Sequence, residues 1–109
     1  MKIINTRSAV DKQQLLQFLQ EKINPLFKKQ RQEDIAFDIN NTPEAIEILK
    51  PDLYDGYLFS LKVNGNDIEI SKTEHYTDDV NILTLEEIIN NLLLDYPGRE
   101  NIDEIKEGS

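Results

Sequence analysis

Leu15, Leu16, Leu19, Ile23 and Leu26 recur at steps of three and four residues, with Gln13, Gln17, Gln20 and Glu21 between them. That spacing lines up one apolar stripe along an α-helix and turns the polar side chains to solvent. Ser8 reads as its N-cap, with Asp11 in the first turn, where a carboxylate complements the positive end of the helix dipole. The helix is expected from about residue 9 to about residue 31. Pro25 lacks a backbone donor, so the chain is expected to kink there, or to stop and restart with Asn24 as cap and Pro25 in the new first turn.

Ile35-Ala36-Phe37-Asp38-Ile39 alternates apolar with smaller or polar residues, the period of a strand with one buried face, and Asn40-Asn41 ends it. Thr42-Pro43-Glu44 then offers a capping hydroxyl, a proline for the first helical position and an acid near the dipole. A short helix is expected here, with Ile46 and Leu49 inward and Pro51 closing it. Tyr57 to Val63 and Asn66 to Ser71 flank Asn64-Gly65, a pair suited to the positive φ angles of a type I′ hairpin turn. Centred there, the hairpin pairs Val63 with Asn66, Leu61 with Ile68, Phe59 with Ile70 and Lys62 with Asp67. Leu58, Ser60, Lys62, Asp67 and Glu69 then fall on its outer face. Further on, Thr84-Leu85-Glu86-Glu87 has the form of a capping box, with Leu83 placed to staple against Ile88. Leu85, Ile88, Ile89, Leu92, Leu93 and Tyr96 make a broad apolar stripe, and Pro97-Gly98 stops that helix.

The order α-β-α-β-β-α predicts an α+β fold, with a small antiparallel sheet of about three strands and helices packed on one face. A single domain is expected over residues 1–98. Residues 99–109 are acidic and mostly polar and are expected to fray, with Ile102 and Ile105 able to dock as one further helical turn. Gly108-Ser109 is set aside as foreign to the fold.

Charge adds more to this picture than overall composition does. The 109 residues include 21 acidic and 12 basic side chains, a formal net charge of −9. Residues 1–33 hold Lys2, Arg7, Lys12, Lys22, Lys28, Lys29 and Arg31 against Asp11, Glu21 and Glu33, a net of +4. The other five basic and eighteen acidic groups give −13. Such a field repels phosphate backbones and attracts basic protein surfaces. Direct nucleic-acid binding is therefore not expected. Lys22, Lys28, Lys29 and Arg31, beside Phe27, read as cations at a helix C-terminus, where the dipole favours them. The sequence contains no cysteine, which excludes disulfides, thiolate metal sites and thiol catalysis. The N-terminus lacks the apolar core of a signal peptide, and no run approaches the ~18 apolar residues of a membrane helix, so a cytoplasmic protein without membrane association is expected.

His75 is the one imidazole. It stands among Glu74, Tyr76, Asp78 and Asp79, which offer ligand types for a weak divalent site but match neither zinc nor calcium spacing. Asp52, Asp55 and Gly56, like Asn64-Gly65-Asn66-Asp67, are the residues tight turns use. No nucleophile elbow accompanies His75, and the glycines at 56, 65, 98 and 108 are scattered, so there is no phosphate-cradling loop. A non-enzymatic role with no metal and no cofactor is expected. The leading expectation is an acidic protein-binding module, of the inhibitor or immunity type, docking on a basic, nucleic-acid-binding surface of a partner protein. Its contact residues are expected to be Asp52, Tyr54, Asp55, Asp67, Glu69, Glu74, Tyr76, Asp78 and Asp79. One alternative is a homo-oligomeric structural or accessory protein, such as a homodimer joined through the first helix or a free sheet edge. Another is a small metal-dependent enzyme centred on His75.

Overall fold

Six segments, twice the number expected, pair into one antiparallel sheet in the computed structural model, which describes residues 1–107. They are β1 (Lys2–Thr6), β2 (Asp38–Asn41), β3 (Ile46–Leu49), β4 (Tyr57–Asn64), β5 (Asp67–Lys72) and β6 (Ile102–Glu107). Their spatial order is β2-β3-β4-β5-β1-β6. Two helices, α1 (Lys12–Arg31) and α2 (Val80–Asp95), complete the fold with a 3-10 turn at Arg99–Asn101. The expected α+β class holds, whereas the strand number and the element order do not. Gly108-Ser109, set aside above, lies outside the described residues.

The short helix expected after Thr42 is instead a turn followed by β3. Ala45 N–H donates to Thr42 Oγ1 at 3.0 Å and Thr42 N–H donates to the Ala45 carbonyl at 2.8 Å, closing a tight turn around Pro43-Glu44. Threonine, proline and glutamate open a turn as readily as a helix. The residues that follow decide the outcome: Ile46 and Ile48 are fully buried, while Glu47 and Leu49 are half-buried, which is the period of a strand. Residues 102–107, expected to fray or add a helical turn, form β6. They pair with β1 at Ile4↔Ile105 and Ile3↔Lys106, and β1 in turn pairs with β5 at Ile4↔Ile68. Neither segment carries enough apolar residues to announce itself. Each is a strand because its neighbours supply the ladder.

The hairpin turn sits one residue later than expected, with Gly65-Asn66 at its centre between Asn64 and Asp67. Gly65 has a φ of +62° and Asn66 does not adopt a positive φ, the pattern of a type II′ turn. Moving the centre by one slides every pairing by two, so Leu61 faces Ile70, Val63 faces Ile68 and Lys62 faces Glu69. A slide by two preserves which face each side chain takes. The choice is made by partners outside the hairpin. The Gly65 carbonyl accepts the Val10 N–H at 2.9 Å, and the Asn66 carbonyl accepts the Thr6 N–H at 2.8 Å and the Thr6 hydroxyl at 2.9 Å. Leu58 departs from its expected outer face. The β3–β4 register shifts between the pairs Ile48↔Phe59 and Leu49↔Tyr57, and Leu58, left between them, is buried in the core.

Asp11, not Ser8, caps α1, accepting the N–H groups of Gln13 at 2.9 Å and Gln14 at 3.2 Å. The helix runs through Pro25 without stopping. An interior proline costs about 3 kcal/mol. Against that, α1 buries Leu15, Leu16, Leu19, Ile23 and Phe27, and each large apolar side chain contributes about 1.5–3 kcal/mol when buried. Phe27 takes the place expected for Leu26 because a step of four from Ile23 stays on the buried stripe. α2 begins a turn earlier than expected, capped by Asp79, whose carboxylate accepts the N–H groups of Asn81 at 2.8 Å and Ile82 at 3.2 Å. Thr84 therefore lies inside the helix, its hydroxyl donating to the Val80 carbonyl at 2.9 Å. The extra turn adds fully buried Ile82 to the stripe of Leu85, Ile88, Ile89, Leu92 and Leu93. Both helices share one core cluster with Ile4, Ile39, Ile46, Ile48, Phe59, Leu61, Ile68 and Ile70, so both lie on the same face of the sheet. Among the described residues no helix covers the opposite, bare face.

Candidate functional site

The nine residues expected to grip a partner divide between two places. Asp67 and Glu69 lie on the bare face of the sheet, on β5. The other seven occupy the loops before β4 and after β5, at the end of the sheet away from the hairpin turn. These loops are tied together by aromatic residues. The buried Tyr54 hydroxyl bonds both carboxylate oxygens of Asp79, at 3.0 and 3.1 Å. Its ring meets that of Tyr76 edge-on, with centroids 4.9 Å apart. The Asp55 N–H donates to the Tyr76 hydroxyl oxygen at 2.9 Å. Tyr76 adopts a φ of +59°, a conformation that costs a residue with a Cβ about 1–2 kcal/mol. That ring contact and hydrogen bond hold it there. Tyr54, Tyr76 and Asp79 thus commit their polar groups inside the molecule. Asp52 is ion-paired with Lys50 at 3.3 Å, while Asp55, Glu74 and Asp78 are exposed.

His75 lies in the same loop, exposed, with its backbone N–H on Thr73 Oγ1 at 3.2 Å. Among the described residues, no group of three or more His, Cys, Asp or Glu side chains closes on a point that could hold a metal ion.

Burial lifts the Tyr54 hydroxyl above its ordinary range near 10, with Asp79 adding to the rise and a hydrogen bond to Asn81 opposing it. Burial and the nearby Asp11 carboxylate raise Tyr96 in the same direction. The folded chain therefore holds these phenolic protons more tightly than the unfolded chain. Their contribution to stability is complete below pH 10 and is lost as pH rises from 10 through the raised values. Thermal unfolding followed across that range should show a decline starting near pH 10, and Tyr54→Phe should remove the part due to Tyr54.

On the bare face, cross-strand pairing lays side chains out in rows. One row runs Asn40, Glu47, Ser60, Ser71. The next runs Lys62, Glu69, Ile3, Lys106, and the last runs Asn64, Asp67, Asn5, Glu104. Asn5 Nδ2 donates to Asp67 Oδ1 at 2.6 Å, which fixes Asp67 at the hairpin end. Two open grooves follow this surface. The larger, about 740 Å³, is bordered by Asp55, Tyr57, Ser71, Lys72, Glu74 and His75. The smaller, about 320 Å³, is bordered by Glu44, Glu47, Ser60, Lys62, Glu69 and Ser71. They adjoin, because Met1 and Ser71 border both.

The charged side chains along the joined grooves are Glu44, Glu47, Asp55, Glu69 and Glu74 against Lys62 and Lys72. Lys72 is itself bonded to Glu86 of α2 at 3.0 Å. α1 packs on the other side of the sheet, and of its cations Lys12 reaches the rim of the smaller groove, at Thr42. Lys28 pairs with Asp34 at 4.0 Å, Arg31 with Glu33 at 3.8 Å, and Lys12 donates to the Thr42 carbonyl at the β2–β3 turn. Of the expected contact residues, the grooves bring together Asp55, Glu69 and Glu74. Glu44 and Glu47 join them unforeseen, although the alternation of Ile46 and Ile48 would have turned Glu47 outward had it been read as a strand. Carboxylates set along a wet groove accept hydrogen bonds from ammonium and guanidinium groups.

Comparison with family models, curated proteins and solved structures returns no match to this chain. Among the described residues, no helix is long and apolar enough to cross a membrane.

Proposed function

We propose that this protein is an acidic protein-binding module that docks, through the bare face of its sheet, on a basic surface of a cytoplasmic partner protein. In its sharpest form the reading is of an inhibitor or immunity-type protein whose carboxylates stand in for a phosphate backbone at a nucleic-acid-binding site. The chain itself does not bind nucleic acid, and no catalytic step is assigned to it. The observation that carries this reading is the pair of adjoining grooves, lined by five carboxylates against Lys62, Lys72 and the α-ammonium of Met1. Such an excess matters because complementary fields steer encounter and exclude wrong partners more than they add affinity. Met1, exposed where the grooves meet, supplies an adaptable apolar contact at the centre of the tract.

The test uses the full chain immobilised in native lysate. Wild-type protein should recover a basic protein at low salt and release it at high salt. A Glu47→Lys/Glu69→Lys variant should weaken binding of that protein by about tenfold or more, while Asp52→Lys, outside the grooves, should change it little. Recovery of no basic protein at low salt, or equal recovery by the doubly reversed variant, overturns the reading.

A further inference from the structure

The two edges of the sheet are finished differently. At the β2 edge, amide side chains of α1 occupy backbone groups of Ile39 and of Phe37, the residue before the strand. Asn24 Oδ1 accepts the Phe37 N–H at 2.8 Å, Asn24 Nδ2 donates to the Phe37 carbonyl at 3.1 Å, and Gln20 Nε2 donates to the Ile39 carbonyl at 3.0 Å. An edge covered in this way does not template another strand. At the other edge, Asp103 to Glu107 are all exposed.

The ladder fixes which groups of β6 point outward. Arg7 N–H donates to the Asn101 carbonyl and Thr6 N–H to the Asn66 carbonyl, both at 2.8 Å. Along β1, odd-numbered residues thus bond toward β6 and even-numbered ones toward β5. Ile3 and Asn5 engage their register partners Lys106 and Glu104. The N–H and C=O of Ile105 and Glu107 are left facing away from the sheet.

A strand that meets its own copy antiparallel, about a two-fold axis normal to the sheet, pairs residues on the same face. Centring on Glu104 opposes two carboxylates, and centring on Lys106 opposes two ammonium groups. Centring on Ile105 pairs it with itself through both outward hydrogen bonds and sets Glu104 against the partner's Lys106 twice. Those charged residues turn their backbone inward, so across the new contact they form the closer, non-hydrogen-bonded kind of pair, with Cα atoms about 4.5 Å apart. Glu104 and Lys106 also lie 3.8 Å apart within each strand. The four side chains make a square of alternating charge. Asp103 and Glu107 are the like-charged pair of this register, but the ladder is irregular beside Asp103, and Glu107 lies 4.0 Å from Lys2 Nζ.

We propose that β6 is a self-association edge, by which two copies pair about Ile105 and join their six-stranded sheets into one of twelve strands. The contact leaves the bare face open, so a dimer presents two acidic surfaces side by side and binds an extended basic partner with gained valency. One strand pair buries less than the ~1,200 Å² of a stable interface, which makes the dimer concentration-dependent. The self-pairing of β6 stands independently of the proposed function, whereas the gain in valency rests on it.

Sedimentation equilibrium of the full chain at moderate salt tests it. Wild type should pass from monomer to dimer as concentration rises. Glu104→Lys and Lys106→Glu should each weaken the dimer by about tenfold or more, since like charges then face each other. Mixing those two variants, or combining both changes in one chain, should restore it. Both positions are exposed, and circular dichroism confirms that each variant folds. A wild type that stays monomeric into the millimolar range overturns the proposal. So does a dimer indifferent to Glu104→Lys, or one that charge exchange fails to restore.

Discussion

Replacing Phe27 by alanine is expected to lower the free energy of unfolding by about 3–5 kcal/mol, the range for deleting a buried aromatic ring. Phe27 is fully buried, and its ring meets Phe37 edge-on, with centroids 4.9 Å apart and planes at 84°. It sits near the end of α1 and anchors both that helix and the connection that leads into β2. A domain of this size is stable by about 5–15 kcal/mol, so the loss takes a large share, and the melting temperature should fall by roughly 12–25 °C. Leu26→Ala is the companion measurement. Leu26 is only partly buried and should cost less than half as much. If chemical denaturation ranks Leu26 above Phe27, the helix is rotated from the position described.

Asp79→Ala is expected to cost about 2–4 kcal/mol, the sum of a lost N-cap and a lost partner for a buried hydroxyl. The carboxylate serves Asn81, Ile82 and Tyr54 together, and removing it frees the start of α2 from the loop before β4. Asp79→Asn keeps a capping oxygen and should retain most of the stability. A double-mutant cycle with Tyr54→Phe should give a coupling of about 1 kcal/mol, as expected for residues in direct contact. These measurements separate two roles for Asp79. If the residue gripped a partner, Asp79→Asn would impair binding at unchanged stability. The geometry predicts a loss in stability with Asp79→Ala and little change in binding with Asp79→Asn.

Long periodic segments were legible in the sequence and short ones were not. The stripes of α1 and α2 and the apolar faces of β4 and β5 follow from spacing alone, because each carries several apolar residues in register. Errors collected where one residue type serves two structures. Thr42-Pro43-Glu44 fits a helix start and a turn equally, and the distinction lay in Ile46 and Ile48, two steps apart rather than three. Thr84 and Asp79 both qualify as caps. Asp79 wins through Tyr54, which is distant in sequence and absent from any local pattern. Asn64-Gly65-Asn66 permits two turn centres, and contacts with Thr6 and Val10 select one. β1 and β6 leave no signal in the sequence because their stability is cooperative: each is short and half polar, β1 is satisfied only between β5 and β6, and β6 only by β1. At the candidate surface, charge alone points to Glu69, Asp55 and Glu74, a helical pattern hides Glu47, and the internal bonds of Tyr54, Tyr76 and Asp79 leave no local pattern because they cross between loops.

The place of β1 in the sheet also constrains the timing of assembly. It precedes every strand it touches, yet Lys2 pairs with Ile70 on one side and Glu107 on the other. During synthesis it emerges long before either neighbour and must wait without a ladder, while β2 to β5 can already zip by short hairpins. Contacts of such long sequence separation slow the final closure. Until then β5 presents an unfinished edge, the most vulnerable moment for adhesion to other nascent chains.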